Sequence, residues 1–473
     1  MNATTKIITY GFAVLIISDT SFYAQTQQAE GTIACGQRHT LVLCYDSTVW
    51  GVGNNSSGQI GNGNFNTPVS APQQAIASGV NKIKFIDAGG WDYSLALDVD
   101  GNAWGWGDNY FGQLGIGNNT AQSQLVKISA FSNNVKAVAA GWMHALILKN
   151  DGTVWAMGRN DYGQLGNGAS TNSNIPVQTM GLTGIVAISG GHLHSLALKS
   201  DSTVWVWGQN FYGLGDGVTT QSYTPVKVSG LNNVIKIISL RNHSLALKID
   251  GTVWAWGQGN SGQLGDGLSL SSGTPVQVSG LTNIKDIGAG DAHSIALKDD
   301  GTVWTWGNAT GILSTTPTQL PLSASAIAIG TGYDHTIVRL NDSTIWGLGS
   351  NSYIQLGSGI GASALVPTKI SFCMGGTGTT TETDEQSLKN DIIVYPNPVI
   401  ASNMLYIHLQ KQLNSQPMTV KLYNIVGEEI QKITMTVKEG KNDLPVSNLK
   451  PGIYFYKIDH EINTIKEGKL VVY

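Results

Sequence analysis

The sequence predicts an all-β protein: a seven-bladed β-propeller followed by a small C-terminal β-sandwich. The main observation is a repeat of roughly fifty residues, marked in successive copies by Trp50, Trp104, Trp155, Trp205, Trp254, Trp304 and Trp346. Eleven residues before these tryptophans lie, in order, His39, Tyr93, His144, His194, His243, His293 and His335. An offset kept through seven copies indicates seven equivalent structural units.

Each unit has the pattern of four short strands. In the sixth copy, residues 284–290, 293–298 and 302–306 are the first three strands, and Asp300-Gly301 forms a tight turn between the second and the third. Glycine suits that turn because it tolerates positive φ. In the fifth copy a G-Q-L-G loop leads to a fourth strand at 274–278. A ring of four-stranded blades is favoured over a solenoid because a closed ring protects strand edges without caps.

Composition indicates a turn-rich globular protein. Glycine occurs 59 times, and 41% of the residues are hydrophobic against 12% charged, which is enough for a buried core. The net charge is −4. A phosphate-binding surface needs a clustered basic excess, and the repeats have none. We therefore expect no nucleic-acid partner.

The N-terminus is typical of a secretory signal peptide. Lys6 precedes an apolar run at 7–17 that is too short to span a bilayer. The predicted signal peptide is 1–24, and no membrane span is expected in the mature chain. The chain has three cysteines, and no bridge between Cys35 and Cys44 is assumed because the two would be out of register in a hairpin.

Several motifs resemble the regulator-of-chromosome-condensation repeat family. They are G-x-x-H-S-L-A-L at 191–198, D-G-T-V-W-A-W-G at 250–257, and G-x-N-x-x-G-Q-L-G at 107–115 and 158–166. The resemblance covers 31–373 and implies a seven-bladed propeller. The fourth copy lacks the glutamine of G-Q-L-G. The sixth copy is degenerate after Gly307 and shorter than the others, which predicts a notch in the ring.

The C-terminal part differs from the repeats in composition. A polar stretch at 374–388 is predicted to be a linker. The following segment, 389–473, resembles the C-terminal sorting domain of the type IX (Por) secretion system, through Y-P-N-P at 395–398, L-K-P-G-I-Y at 449–454 and G-K-L-V-V at 468–472. The resemblance implies that the type IX machinery is a partner. It also implies a secreted or outer-membrane surface location in a Gram-negative bacterium.

No motif for catalysis, metal or cofactor binding stands out. The sequence lacks G-x-S-x-G, G-x-x-x-x-G-K-[ST] and H-E-x-x-H. Sevenfold geometry would spread the repeated histidines around a ring rather than gather them at one metal. We expect them to form hydrogen bonds, as Tyr93 could in their place. The tryptophans are expected to pack between blades, because aliphatic residues replace the second one of the strand in three copies.

The candidate site lies in the G-x-x-H hairpins, where two residues differ between copies while their surroundings repeat. These positions are rich in aromatic residues and arginine, which dominate binding hot spots. The predicted binding residues are Arg38, Trp91, Asp92, Trp142, Met143, His192, Arg241, Asn242, Asp291, Tyr333 and Asp334. Ordinary turn variability remains the alternative explanation. The predicted function is an interaction or adhesion scaffold for an extracellular protein or glycan. An extracellular enzyme or enzyme inhibitor using the same face is the alternative.

Overall fold

The fold was analysed in a computed structural model, which divides into two compact units, residues 1–374 and 375–473. It describes residues 33–44, 46–308, 313–370, 372, 392–395, 405–409, 418–423, 429–435, 440–444, 452–460 and 463–472. All regular elements among these residues are β-strands. The predicted signal peptide and linker lie outside them. A search of the described residues found no helix long and apolar enough to cross a membrane.

The first unit is a ring of seven four-stranded blades. Blade 1 contains β1 (Ile33–Cys35), β2 (His39–Leu43), β3 (Val49–Gly53) and β4 (Val69–Gln74), and blade 2 contains β5 (Ile83–Ala88), β6 (Tyr93–Asp98), β7 (Ala103–Gly107) and β8 (Gln122–Lys127). Blade 3 contains β9 (Val135–Ala140), β10 (His144–Lys149), β11 (Val154–Gly158) and β12 (Ser173–Gln178), and blade 4 contains β13 (Ile185–Gly190), β14 (His194–Lys199), β15 (Val204–Gln209) and β16 (Gln221–Lys227). Blade 5 contains β17 (Val234–Ser239), β18 (His243–Lys248), β19 (Val253–Gly257) and β20 (Ser272–Gln277). Blade 6 contains β21 (Ile284–Ala289), β22 (His293–Lys298), β23 (Val303–Asn308) and β24 (Leu313–Gln319). Blade 7 contains β25 (Ala326–Thr331), β26 (His335–Leu340), β27 (Ile345–Ser350) and β28 (Ser363–Ile370).

The strands of each blade pair antiparallel in chain order. The first strands of neighbouring blades contact one another around the ring, and β1 contacts both β5 and β25. The first strands therefore surround the central axis, and the fourth strands lie at the rim. Each blade is built from consecutive strands, so the ring closes between blades 7 and 1 without a shared strand. The predicted seven-bladed propeller is confirmed.

The second tryptophan of the third strand packs between blades. Trp106, Trp207, Trp256 and Trp306 are fully buried. Trp256 shares a core cluster with Leu214 from the loop of the preceding blade, and Trp306 shares one with Leu264 in the same way. The first tryptophan of the strand, such as Trp254, is partly buried in every blade except blade 2, where Trp104 is buried. The expected packing role is thus confirmed, and the second tryptophan buries more of its surface than the first.

The repeated histidines join each blade to the next. Each Nε2 lies within hydrogen-bond distance of a serine or threonine hydroxyl in the following blade: His39–Ser94 at 3.0 Å, His144–Ser195 at 2.9 Å, His194–Ser244 at 3.1 Å, His243–Ser294 at 2.9 Å, His293–Thr336 at 2.9 Å and His335–Thr40 at 2.9 Å. The last pair crosses the closure of the ring. The predicted hydrogen-bonding role is confirmed, with the partner in the neighbouring blade.

The junction between blades 2 and 3 is also joined by a hydrogen bond, but different residues form it. Tyr93 stands where the other copies have histidine, and the facing position is Ala145, which has no hydroxyl. The Tyr93 hydroxyl donates instead to the backbone carbonyls of His144 and, at 3.2 Å, Gly141. The two departures from the repeat are therefore structurally linked.

This linkage predicts energetic coupling between the two positions. Tyr93→His alone would bury a histidine without its hydroxyl partner, and the double change with Ala145→Ser would recreate the pair seen at the other junctions. We expect a coupling energy of at least ~1 kcal/mol in a double-mutant cycle measured by urea unfolding. Additive single changes would show that the two positions are independent.

The second unit contains the C-terminal strands. They are β29 (Ile392–Tyr395), β30 (Leu405–Leu409), β31 (Met418–Tyr423), β32 (Glu429–Met435), β33 (Gly440–Leu444), β34 (Gly452–His460) and β35 (Asn463–Val472). They form a three-stranded sheet, β29-β30-β33, and a four-stranded sheet, β32-β31-β34-β35. Val420, Leu422 and Ile458 are buried at alternate positions along their strands, as the inner face of a sandwich requires.

The described cysteines differ in state. Cys44 is disulfide-bonded, whereas Cys35 is a buried free thiol. The two are therefore not bridged to each other.

Candidate binding face

The G-x-x-H spacing has a steric cause. In blade 4, the Gly191 N–H donates to the His194 carbonyl at 2.8 Å and closes the hairpin. The imidazole folds back over the glycine, so that a Cβ on Gly191 would lie 2.5 Å from His194 Cε1. Real side chains do not approach this closely, so the imidazole can take this position in blade 4 because residue 191 is glycine; blade 5 has Leu240 at the equivalent position. The two residues between them are free to vary because the backbone hydrogen bond and the histidine fix the turn.

Consecutive hairpins are also bonded to one another. The Trp91 N–H donates to the Trp142 carbonyl at 2.9 Å, and the His192 N–H donates to the Arg241 carbonyl at 3.0 Å. The Asp291 N–H donates to the Tyr333 carbonyl at 2.8 Å. These bonds link the hairpin tips around one end of the ring, so their side chains project from a firmly held backbone.

The first variable residues of six hairpins converge on the axis. The Trp142 ring lies 6.1 Å from that of Trp91, 4.6 Å from that of His192 and 5.5 Å from that of Tyr333, measured between centroids. Trp142 belongs to blade 3 and Tyr333 to blade 7, so this contact crosses the axis. We call the six residues the axial cluster; its members are Trp91, Trp142, His192, Arg241, Asp291 and Tyr333.

An ion pair completes the axial cluster. The Arg241 guanidinium lies 4.8 Å from the centroid of the Tyr333 ring. One of its nitrogens also bonds both carboxylate oxygens of Asp291. The cluster thus joins aromatic surface from blades 2, 3 and 7 to a charge pair from blades 5 and 6. Aromatic faces and arginine are the groups that contribute most in protein interfaces.

The second variable residues contact the outer loops instead. Arg38 lies over the Tyr353 ring at 4.6 Å, and Asp92 Oδ2 accepts a bond from Asn54 Nδ2 at 3.2 Å. Met143 Sδ lies 3.5 Å from an Arg159 nitrogen, and Asn242 Nδ2 donates to Gln258 Oε1 at 3.2 Å. Asp334 is exposed. The structure therefore separates the predicted residues into an axial and an outer set.

Exposure divides the axial cluster further. The exposed fraction is 40% for Trp91 but only 8% for Trp142, which the surrounding rings cover. Asp92 is buried as well, and its backbone has a positive φ of 50° that turns the residue toward blade 1. Trp142 and Asp92 are therefore covered by their neighbours, whereas Trp91 and Asp334 are exposed and Tyr333 is half-buried.

Burial sets the charges of the face. It lowers the pKa of His192 to about 4, with a contribution from Arg241, so this imidazole is neutral near pH 7. Asp334 is exposed as a residue, but partial desolvation of its carboxyl group by neighbouring atoms, together with the nearby Asp291, raises its pKa to about 6. Desolvation raises the pKa of Tyr333 as well. Near neutral pH the face thus carries the internal Arg241–Asp291 pair and a carboxylate at Asp334.

Aromatic residues in the outer loops extend the face, and these were missed in the sequence. The loops lie beside the hairpins, because the Asp108 N–H donates to the Asp92 carbonyl at 2.9 Å. Tyr110 and Phe211 are 72% and 68% exposed. The Arg159 guanidinium lies 5.3 Å from both the Phe111 and the Tyr162 rings. Aromatic residues just before the loop glycines Gly112, Gly163 and Gly213 were the available signal.

Two hollows among the described residues lie away from the predicted site. One is lined by residues 46–49, 74, 75, 77 and 80–83, and the other by residues 115–118, 122, 126, 127, 129, 130, 175 and 176. Hairpin residues line neither of them. A search of the described residues found no group of three metal-ligating side chains.

Family comparisons match both parts of the chain. A family described as the regulator of chromosome condensation (RCC1) repeat matches residues 100–148, 151–198, 201–247 and 250–297. A second description of the same repeat matches residues 32–59, 83–113, 135–164 and 185–214. A secretion system C-terminal sorting domain matches residues 393–473. A domain of this kind implies export through the type IX secretion system.

Curated relatives share the repeats over part of their length. The chain is 38% identical over 146 residues to the ultraviolet-B receptor UVR8 of Arabidopsis thaliana, a match covering 30% of this chain and 32% of the receptor. It is 36% identical over 151 residues to the probable E3 ubiquitin-protein ligase HERC6 of Homo sapiens, covering 31% and 14%. The matches thus span about a third or less of these relatives.

Solved structures share the fold. Human WBSCR16 aligns with a TM-score of 0.59 and 24% identity, covering 65% of this chain and 86% of that one. Yeast RCC1 (Prp20), in a structure with Kap60, aligns with a TM-score of 0.64 and 22% identity, covering 79% and 91%. Repeats, blades and tail lead to one assignment: this chain belongs to the regulator of chromosome condensation repeat family and carries a C-terminal type IX sorting domain.

Proposed function

We propose that this protein is an exported binding scaffold whose hairpin face engages an extracellular protein or glycan. The observation that carries the proposal is the axial cluster, in which side chains from six blades meet at one end of the ring. The backbone and the interblade bonds repeat, whereas these side chains differ between copies. Such a pattern is typical of a fixed framework that presents a specific surface.

The rigidity of the hairpins supports binding. A side chain on a firmly held backbone loses little conformational entropy when a partner arrives. Trp91 and Tyr333 add large aromatic surface with few rotatable bonds, and Tyr110 and Phe211 extend that surface outward. An enzyme inhibitor would bind through the same face, and its function would differ only in that binding stops the activity of the partner enzyme. We further infer that export removes residues 1–24 and that 374–388 join a propeller at 31–373 to the sorting domain at 389–473.

The partner can be sought with the full chain immobilised as bait against surface extracts and glycan arrays. For the partner found, Trp91→Ala and Tyr333→Ala are each expected to lower affinity by at least ~1–2 kcal/mol while the melting temperature changes little. Trp142→Ala should lower both affinity and melting temperature, because Trp142 is buried. Isothermal titration and thermal unfolding measure the two effects.

The matched control is Ile249→Ala. Ile249 is an exposed hydrophobic residue next to the Asp250-Gly251 turn, which joins the second and third strands and so lies at the opposite end of the blade from the hairpins. Its loss should leave affinity unchanged. A partner that responds to Ile249 and is indifferent to Trp91 and Tyr333 would place the binding site on the other face.

A further inference from the structure

At the outer rim of the propeller, the same kind of backbone hydrogen bond joins neighbouring blades at six junctions. In each of them, a backbone N–H from the loop of one blade donates to a carbonyl in the fourth strand of the next blade. The pairs are Gly63–Ser123 at 2.9 Å, Gly117–Asn174 at 2.8 Å, Gly168–Tyr223 at 3.0 Å, Gly217–Gly273 at 3.1 Å, Gly267–Thr315 at 3.0 Å and Ser358–Ser70 at 2.9 Å. The loop therefore covers the exposed edge of its neighbour.

The loop backbone lies directly on the strand that it covers. A Cβ on Gly112 would lie 2.4 Å from Asn174 Cα, and one on Gly163 would lie 2.8 Å from Tyr223 Cα. Such contacts leave space only for glycine. The covering segment is thus a close-fitting loop that contributes backbone as well as side-chain contacts.

The junction between blades 6 and 7 departs from this pattern. In blade 5 residues 258–271 connect β19 to β20, but in blade 6 only residues 309–312 connect β23 to β24. Gly349 pairs with Ala364 as Gly158 pairs with Ser173. Leu365 therefore corresponds to Asn174, whose carbonyl accepts the loop bond. No described residue donates to the Leu365 carbonyl.

The uncovered strand is also hydrophobic. Leu365 and Val366 are each 64% exposed, and Leu313 at the start of β24 is exposed as well. We call these three residues the rim notch. A strand edge with exposed aliphatic side chains, and with a carbonyl that accepts no bond from the described part of the chain, is a template for another chain. Pro367 follows directly and carries no N–H, so it limits ladder pairing to a short stretch.

We propose that the rim notch is a docking site for a glycine-containing loop of a partner protein. The loop takes the place that the blade's own loop takes at the other junctions. It donates a backbone N–H to the Leu365 carbonyl and covers the Leu365, Val366 and Leu313 side chains. The six intact junctions define the occupant: a turn-forming segment, with glycine at the point where the loop crosses the strand in five of the six.

The probe is a cyclic peptide with the sequence of residues 159–172, the blade 3 loop. This loop covers Tyr223, a bulky residue like Leu365. Asn160 organises it internally, accepting a bond from the Leu165 N–H at 2.9 Å and donating to the Ala169 carbonyl at 2.9 Å. Cyclisation joins ends that already lie side by side in the blade and so reduces the entropy lost on binding. We expect saturable binding to the full chain below about 1 mM peptide.

Two variants and one control decide the result. Val366→Asp should weaken peptide binding at least tenfold without changing the melting temperature, because Val366 is exposed. Ile175→Asp, the matching position at the covered junction of blades 2 and 3, should leave binding unchanged. A chain with residues 309–312 replaced by the blade 3 loop should no longer bind the peptide. Three results would each overturn the proposal. They are absence of peptide binding to the original chain, an equal loss of binding in both aspartate variants, and unchanged binding to the chain that carries the blade 3 loop in place of residues 309–312.

Discussion

Acidification from pH 7 to pH 5 is expected to lower the free energy of unfolding of the propeller by several kcal/mol. Burial lowers the pKa of the interblade histidines from 6.5 to about 3, and to about 4 in one case: His39, His144, His194, His243 and His335 in the first group and His293 in the second. The folded ring keeps these imidazoles neutral. The unfolded chain releases them to water, where they take up protons near pH 6.5.

The direction follows from proton binding in the two states. Between about pH 6.5 and pH 3 the unfolded chain binds more protons than the folded one, so stability is complete above pH 6.5 and falls with the pH below it. The loss is on the order of 1–2 kcal/mol per histidine over these two pH units. Asp87 and Asp334 act in the opposite sense, because their pKa is raised to about 6 and protonation favours the folded state. Two carboxyls offset only part of the effect of six histidines.

Blades 2 and 3 provide the control for this pH dependence. A variant with His243→Tyr and Ser294→Ala copies the Tyr93–Ala145 junction and removes one titrating group. Chemical unfolding across this pH range should show a shallower decline in the variant than in the original chain. Two results would show that the histidines are not the titrating groups. One is a denaturant midpoint of unfolding that does not change with pH, and the other is the same decline of stability with pH in both proteins.

The blades could be predicted from sequence because their information is local. Each repeat contains its own hairpin turn, its own turn between the second and third strands and its own third-strand tryptophan. Strands that are neighbours in the chain are also neighbours in the sheet. The shortened sixth repeat likewise predicted an irregular junction, and the strand bounds of β23 and β24 confirm the short connection. Local patterns did not show the partner of each histidine, because that hydroxyl lies in the next blade: roughly one repeat further along the chain for five histidines, and in the first blade for His335.

The site was predictable as a set of positions but not in its internal arrangement. Trp91 and Trp142 occupy the same place in their repeats, yet one is exposed and the other is covered. The difference arises because Tyr333, from a blade across the axis, packs against Trp142. Contacts across the ring depend on its curvature, which no single repeat encodes. The aromatic residues of the outer loops were missed for a related reason: they belong to a different part of the repeat and join the face only in the folded ring.

Removal of residues 389–473 is expected to abolish export across the outer membrane while leaving the propeller folded. The sorting domain matches residues 393–473, and the chain divides into compact units at residue 374. The strands described in the tail pair only with one another. We therefore expect the truncated chain to accumulate in the periplasm of the producing bacterium with a melting temperature near that of the full chain. Cell fractionation and surface protease accessibility measure the location.

A transfer experiment separates an export signal from a general effect of truncation. Fusion of residues 374–473 to an unrelated, folded periplasmic protein should bring that protein to the cell surface or into the medium. The same fusion in a strain without a working type IX system should stay in the periplasm. The repeats have their own interblade bonds and cores, so nothing in the propeller is expected to be needed for this step. Surface exposure of the truncated propeller, or retention of the fusion in a competent strain, would show that the sorting information lies outside the tail.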